Sequence, residues 1–221
     1  MASYESDEEQ IEALKRWWEE NGNSLIIGVV IVLAVLFGSR AWQGSQQAKA
    51  EEASDLYDSI VQAVALNQGA DLDEAGLAGL ESAYDSLRND HGDSIYTRYG
   101  ALMLSSVYVR QENYDQAAAE LSWVLDNQEL GFMRSAEPEL FLAARLRLAR
   151  VKLTLGEARE ALDLLLNTEP GALAAGYAEV QGDAYRDLGE QEQARGAYER
   201  ALALQPDNAR FIELKLLGLD G

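Results

Sequence analysis

GDAYRDLGEQEQARGAYERALALQPDN, Gly182 to Asn208, is the stretch that decides the fold. Gly182, Ala184, Tyr185, Gly189, Ala194, Tyr198, Ala201 and Pro206 fall at intervals that fit two helices joined by a tight turn. Gly182 and Ala194 are small where the two helices would cross, so their backbones can approach closely. Gly189 ends the first helix and permits the turn. Ala201 leaves room for the next helix, and Pro206 stops the second one.

The pattern recurs upstream. LRLARVKLTLGEAREALDLL repeats it 33 residues earlier, with Leu148, Ala149, Gly156, Ala161 and Leu165. LSSVYVRQENYDQAAAELSWVL offers Leu104, Ser105, Tyr108, Tyr114, Ala117 and Leu121, a further 44 residues back. Glu112 stands there in place of the turn glycine, which makes this unit the weaker match. The extra residues fall around NQELGFMRSAEP, read as an insertion over 129–138 that Pro138 closes. These spacings resemble the tetratricopeptide repeat, a 34-residue helix–turn–helix. Segments 48–67 and 73–89 read as one more helix pair covering the amino-terminal end of the stack. The tail FIELKLLG covers the other end, because solenoids need atypical caps.

The fold expected is therefore all-α: one apolar helix followed by a tetratricopeptide-repeat-like α-solenoid. Such a stack is a binding surface whose first helices line a concave groove. Mapped onto the repeat, the groove positions are Tyr99, Leu102, Ser106 and Arg110 in the first unit. Leu146, Arg150 and Thr154 follow in the second, then Glu179, Asp183, Arg186 and Asp187 in the third.

Outward from the repeats, LIIGVVIVLAVLF occupies Leu25 to Phe37. Taken from Leu25 to Trp42 the run is about 27 Å long as a helix at about 1.5 Å per residue, enough to cross most of a bilayer core. Its eleven Leu, Ile, Val and Phe residues each favour insertion by roughly 0.3–0.6 kcal/mol, which outweighs Arg40 at the edge. Trp17, Trp18 and Trp42 suit the two headgroup layers. Ser39-Arg40-Ala41 satisfies a small-x-small cleavage rule, but an acidic leader of about two dozen residues is not the short basic start of a signal peptide. The run reads as a retained anchor, dividing the chain into an acidic tail at 1–24, a span at 25–42 and a body at 43–221. In the tail, Ile11, Leu14, Trp17 and Trp18 share one helical face. Lys15 and Arg16 on one side balance Arg40 and Lys49 on the other, so the positive-inside count leaves the orientation open.

The formal charge is −20, of which residues 1–24 hold seven acids and two bases, leaving −15 for the remainder. A body that acidic is repelled by phosphate backbones, so nucleic acid is not an expected partner. The chain has no cysteine, which excludes disulfides and thiolate metal sites and suits an oxidising compartment. Its one histidine, His91, sits in NDHGDS with no paired nucleophile and reads as a solvent-exposed loop residue. Without a phosphate loop, a metal-ligand cluster or a nucleophile motif, no catalytic activity, cofactor or small-molecule substrate is expected.

The order of acidic tail, EEQIEALKRWWEENG, single span, Arg40-Ala41-Trp42 and degenerate repeats resembles the YfgM family, the ancillary subunits of the bacterial SecYEG translocon. The resemblance covers essentially the whole chain. It is most specific in residues 4–43 and in RLARVKLTLGEAREALDLL. It implies an inner-membrane protein with the tail in the cytoplasm and the repeats in the periplasm. The implied partners are the SecYEG translocon and a membrane-anchored periplasmic prolyl-isomerase-like chaperone. The implied role is to pass secreted chains to periplasmic chaperones. A different reading of the same layout is a membrane-anchored regulator of an envelope stress response, its acidic tail sequestering a basic cytoplasmic signalling protein.

Overall fold

The computed structural model describes residues 2–66, 72–128, 138–205 and 209–219. Nine α-helices are found among them: α1 Ala2–Leu66, α2 Glu74–Asp90, α3 Ile95–Arg110, α4 Tyr114–Asp126, α5 Pro138–Thr154, α6 Ala158–Leu165, α7 Ala174–Asp187, α8 Gln191–Leu204 and α9 Ala209–Leu217. A short 3-10 turn, Gly171–Leu173, leads into α7. No strand occurs among the described residues. The insertion at 129–137 and the helix-stopping Pro206 lie outside them. The chain divides into two compact units, Met1–Glu51 and Glu52–Gly221.

In the first unit the apolar run is uninterrupted helix. Its large side chains are all open, from 45% exposed at Leu25 to 66% at Phe37. A core helix hides such residues; this one is long and apolar enough to cross a membrane. Ile11, Leu14, Trp17 and Trp18 of the preceding segment are likewise exposed.

The second unit is a double layer. From α2 onward each helix packs against the next, and α3 also touches α5 while α5 touches α7. That alternation, with first helices stacked on first helices, defines a solenoid.

Three turns carry the repeat, and their hydrogen bonds are superimposable. Asn113 N donates to Tyr108 O, Glu157 N to Lys152 O and Glu190 N to Tyr185 O, each at 2.8 Å. This is the long closing bond of a Schellman cap. The middle residue of each turn has positive φ: 61° at Glu112, 79° at Gly156 and 77° at Gly189. Ala117, Ala161 and Ala194 then make the first bond of each second helix back to Asn113, Glu157 and Glu190. Glu112 thus occupies the glycine site of the first unit in full register.

The helix crossings show the same register. Ser105, Ala149 and Gly182 are equivalent and buried, and they precede Leu121, Leu165 and Tyr198 by a fixed interval. A Cβ added at Gly182 would lie 2.4 Å from Tyr198 Cε1, so the bulkiest partner has taken the smallest residue opposite it. The tyrosine hydroxyl then reaches Asp183 Oδ1 at 2.8 Å.

Both ends of the stack are covered by less regular helices. Ala53 and Ile60, from the end of α1, are fully buried, while the Tyr57 ring packs at a tilt against Tyr96 and Tyr99. Ile212 and Leu219, at the other end, close over α7 and α8. Between α2 and α3, His91 is buried at 5% exposure, which corrects the expectation of a solvent-exposed loop histidine. Its carbonyl caps the turn by accepting from Ser94 N and Thr97 Oγ1, and this draws the ring inward. Arg98, 2% exposed, ties the same corner together by donating to the carbonyls of Gly92, Ser94 and Asn127.

Candidate polypeptide-binding groove

The stacked first helices leave two adjoining hollows. A cavity of about 320 Å³ opens between α3, α4 and α5, lined by Ser106, Val109, Tyr114, Arg147, Arg150 and Val151 among others. A second, of about 400 Å³, is bounded by Arg150, Leu153, Thr154, Asp183, Arg186, Asp187 and Lys215. Arg150 and Thr154 border both, so the two form one trough running from α3 across α5 to α7.

Of the positions expected from the repeat, the trough gathers Ser106, Arg150, Thr154, Asp183, Arg186 and Asp187. Tyr99 is half-buried against Tyr57 and lines neither hollow. Arg110 is exposed at the end of α3, outside both. Glu179 is occupied by Lys215 Nζ at 2.7 Å. The expectation that Leu102 and Leu146 line the groove is corrected, because only 6% and 5% of them is exposed. Leu102 belongs to the core of the first repeats, and Leu146 to the seam between α5 and α7.

Arg147 is the residue that repeat mapping missed. Steps of four from Leu146 lead to Arg150 and Thr154, whereas a period of 3.6 groups 147, 150, 151 and 154 on one face. The helical period was the available signal. Tyr114 and Lys215, from outside the first helices, also escaped that mapping.

The electrostatics of the two hollows differ. In the second, Arg186 pairs with Asp183 and Asp187, and Lys215 pairs with Glu179 and Asp183. Charge there is internally balanced. In the first, Arg147 Nη1 donates to Leu102 O at 3.3 Å, and neither Arg147 nor Arg150 has an ion-pair partner among the described residues. Burial, and secondarily the Arg150 guanidinium, holds the Arg147 pKa below its ordinary value. Burial, followed by the bond to Asp183, pushes the Tyr198 hydroxyl pKa up. Among the described residues no group of three or more His, Asp or Glu is placed to hold a metal.

A helical solenoid with a trough across its first helices, preceded in sequence by an apolar helix, defines the class of repeat-built scaffold proteins. The family model described as a tetratricopeptide repeat-like domain matches residues 15–221, and the chain belongs to that family. A protein of Escherichia coli strain K12 named ancillary SecYEG translocon subunit is 28% identical over 221 residues, with 99% of each chain covered. A protein of the same name from Aggregatibacter actinomycetemcomitans is 28% identical, with 98% of this chain and 97% of that one covered. Among solved structures, MamA 41-end from Desulfovibrio magneticus RS-1 matches with a TM-score of 0.53 at 17% identity, over 76% of this chain and 93% of that one. That likeness concerns the fold alone.

Proposed function

We propose that this chain is a single-span inner-membrane protein that accompanies the SecYEG translocon. The observation that carries the reading is the end-to-end similarity to relatives named as ancillary subunits of that translocon, apolar helix and repeats included. The tail, residues 1–24, lies in the cytoplasm, residues 25–42 span the membrane, and the repeats from 43 to 221 face the periplasm. There the trough holds segments of other polypeptides and helps pass emerging chains to a periplasmic prolyl-isomerase-like chaperone. No step of this role calls for catalysis, since a solenoid acts by presenting a surface.

Two measurements on the full chain test it. Protease added to spheroplasts digests residues 50–221 while the membrane stays intact; a body protected until lysis, or a mature amino terminus at Trp42, overturns the orientation. Affinity purification from detergent-solubilised membranes recovers translocon subunits. Recovery of a soluble basic regulator in their place favours the signalling role instead.

A further inference from the structure

The first hollow brings two arginines, Arg147 and Arg150, side by side. Residues 25–221 carry −15, and many cations there are already engaged: Arg88 with Glu120, Lys152 with Glu157 and Glu160, Arg159 with Glu190, Lys215 with Glu179 and Asp183. Arg147 and Arg150 sit one helical step from each other on α5, both lining this hollow, and neither has an ion pair among the described residues. Two like charges side by side repel, and the Arg150 guanidinium adds to burial, the larger cause, in holding the Arg147 pKa below its ordinary value. A single anionic group set between them removes that repulsion and gains charge-assisted hydrogen bonds to two planar donors.

The walls specify what carries the anion. Val109, Tyr114, Leu121 and Val151 make the lining mainly apolar. Ser106 Oγ donates to Met103 O and Thr154 Oγ1 to Arg150 O, so each hydroxyl proton is used and each oxygen is free to accept from a guest N–H. The hollow does not end blindly; past Arg150 and Thr154 it continues into the second. A guest chain can therefore enter and leave. The body's net negative charge disfavours polyanions, while a lone carboxylate feels the local arginine pair.

We propose that the hollow between α3 and α5 is a subsite for an acidic side chain, Asp or Glu, within a polypeptide segment whose neighbouring apolar side chain fills the cavity. The carboxylate sits between Arg147 and Arg150, and the apolar group lies against Val109, Tyr114 and Val151. This rests on the reading of the trough as a polypeptide-binding surface and adds the chemistry it selects.

The test uses the full chain in detergent and three fluorescein-labelled peptides read by anisotropy. One is acetylated and amidated with leucine-glutamate-phenylalanine at its centre, and the second replaces that glutamate with glutamine. The third also has glutamine but ends in a free carboxylate. The glutamate peptide binds about tenfold or more tightly than the glutamine peptide, the size expected of a charge-assisted hydrogen bond, and added salt narrows the gap. Arg150→Gln, at an exposed side chain without an ion-pair partner among the described residues, removes most of the discrimination and leaves the melting curve unchanged. Arg147→Gln does the same, and its circular dichroism shows whether the α3–α5 contact survives. Equal binding of the glutamate and glutamine peptides overturns the carboxylate subsite but leaves the polypeptide-binding trough standing. Binding of none of the three overturns both. Preference for the free carboxylate terminus over the internal glutamate overturns the assignment to a side chain.

Discussion

At Gly182 one hydrogen atom separates a packed repeat from a clash. Because a Cβ there meets the Tyr198 ring at 2.4 Å, Gly182→Leu is expected to cost at least about 1–3 kcal/mol, with the full chain in detergent melting correspondingly lower. Glu199→Gln, on an exposed face of α8, shifts stability by less than about 0.5 kcal/mol. Equal melting of the two variants contradicts the repeat register. Glu112 gives the opposite sign. Its φ of 61° is strained for a residue with a Cβ, so Glu112→Gly relieves about 1–2 kcal/mol of strain. Part of that is offset by the extra freedom of glycine in the unfolded chain. The variant should melt higher, and a lower melting point counts against the cap. Arg98 is the most consequential single polar residue, since Arg98→Ala leaves the carbonyls of Gly92, Ser94 and Asn127 without its donors. A loss on the order of 3 kcal/mol follows from unsatisfied buried groups. The burial of Arg98 was not legible, because its tie to the Asn127 carbonyl, 29 residues away, leaves no local pattern.

Between helices, buried tyrosines bonded to carboxylates act as cross-ties. Tyr84 donates to Glu120, linking α2 to α4; Tyr108 donates to Glu81, linking α3 to α2; Tyr198 donates to Asp183, linking α8 to α7. Burial, then the acceptor carboxylate, raises each hydroxyl pKa well above its ordinary value. Groups whose folded pKa is raised contribute stability that is fully present below the unfolded pKa and lost as pH rises toward the folded one. The melting temperature should therefore fall from about pH 10 upward, and Tyr84→Phe should flatten that fall. A flat alkaline profile in the parent chain contradicts the cross-ties. The elements themselves were readable where glycine marked a turn, at Gly156 and Gly189, and even at Glu112, because Ala117 and Leu121 kept the interval. Leu102 and Leu146 were misjudged for a physical reason. A first helix of a repeat is touched by its own second helix and by the next first helix, so its open face is narrow and a residue one step around is already core.

For the whole molecule, the apolar span and the solenoid were visible as two changes of pattern, a run without charge and then a helical period with small residues at fixed intervals. Which side of the membrane each part occupies was not visible, since Lys15 and Arg16 are matched by Arg40 and Lys49. The trough was visible as a surface but not as a chemistry; the juxtaposition of Arg147 and Arg150 in one hollow emerges only once α3, α4 and α5 are packed. On the function proposed above, the trough of the solenoid holds other polypeptides. A photo-reactive amino acid at Thr154, which borders both hollows, tests it most directly in living cells. Ultraviolet-dependent adducts with secreted chains or the periplasmic chaperone are expected from Thr154, and none from the outward position Glu199. Adducts of equal yield from both positions, or none from Thr154, contradict it.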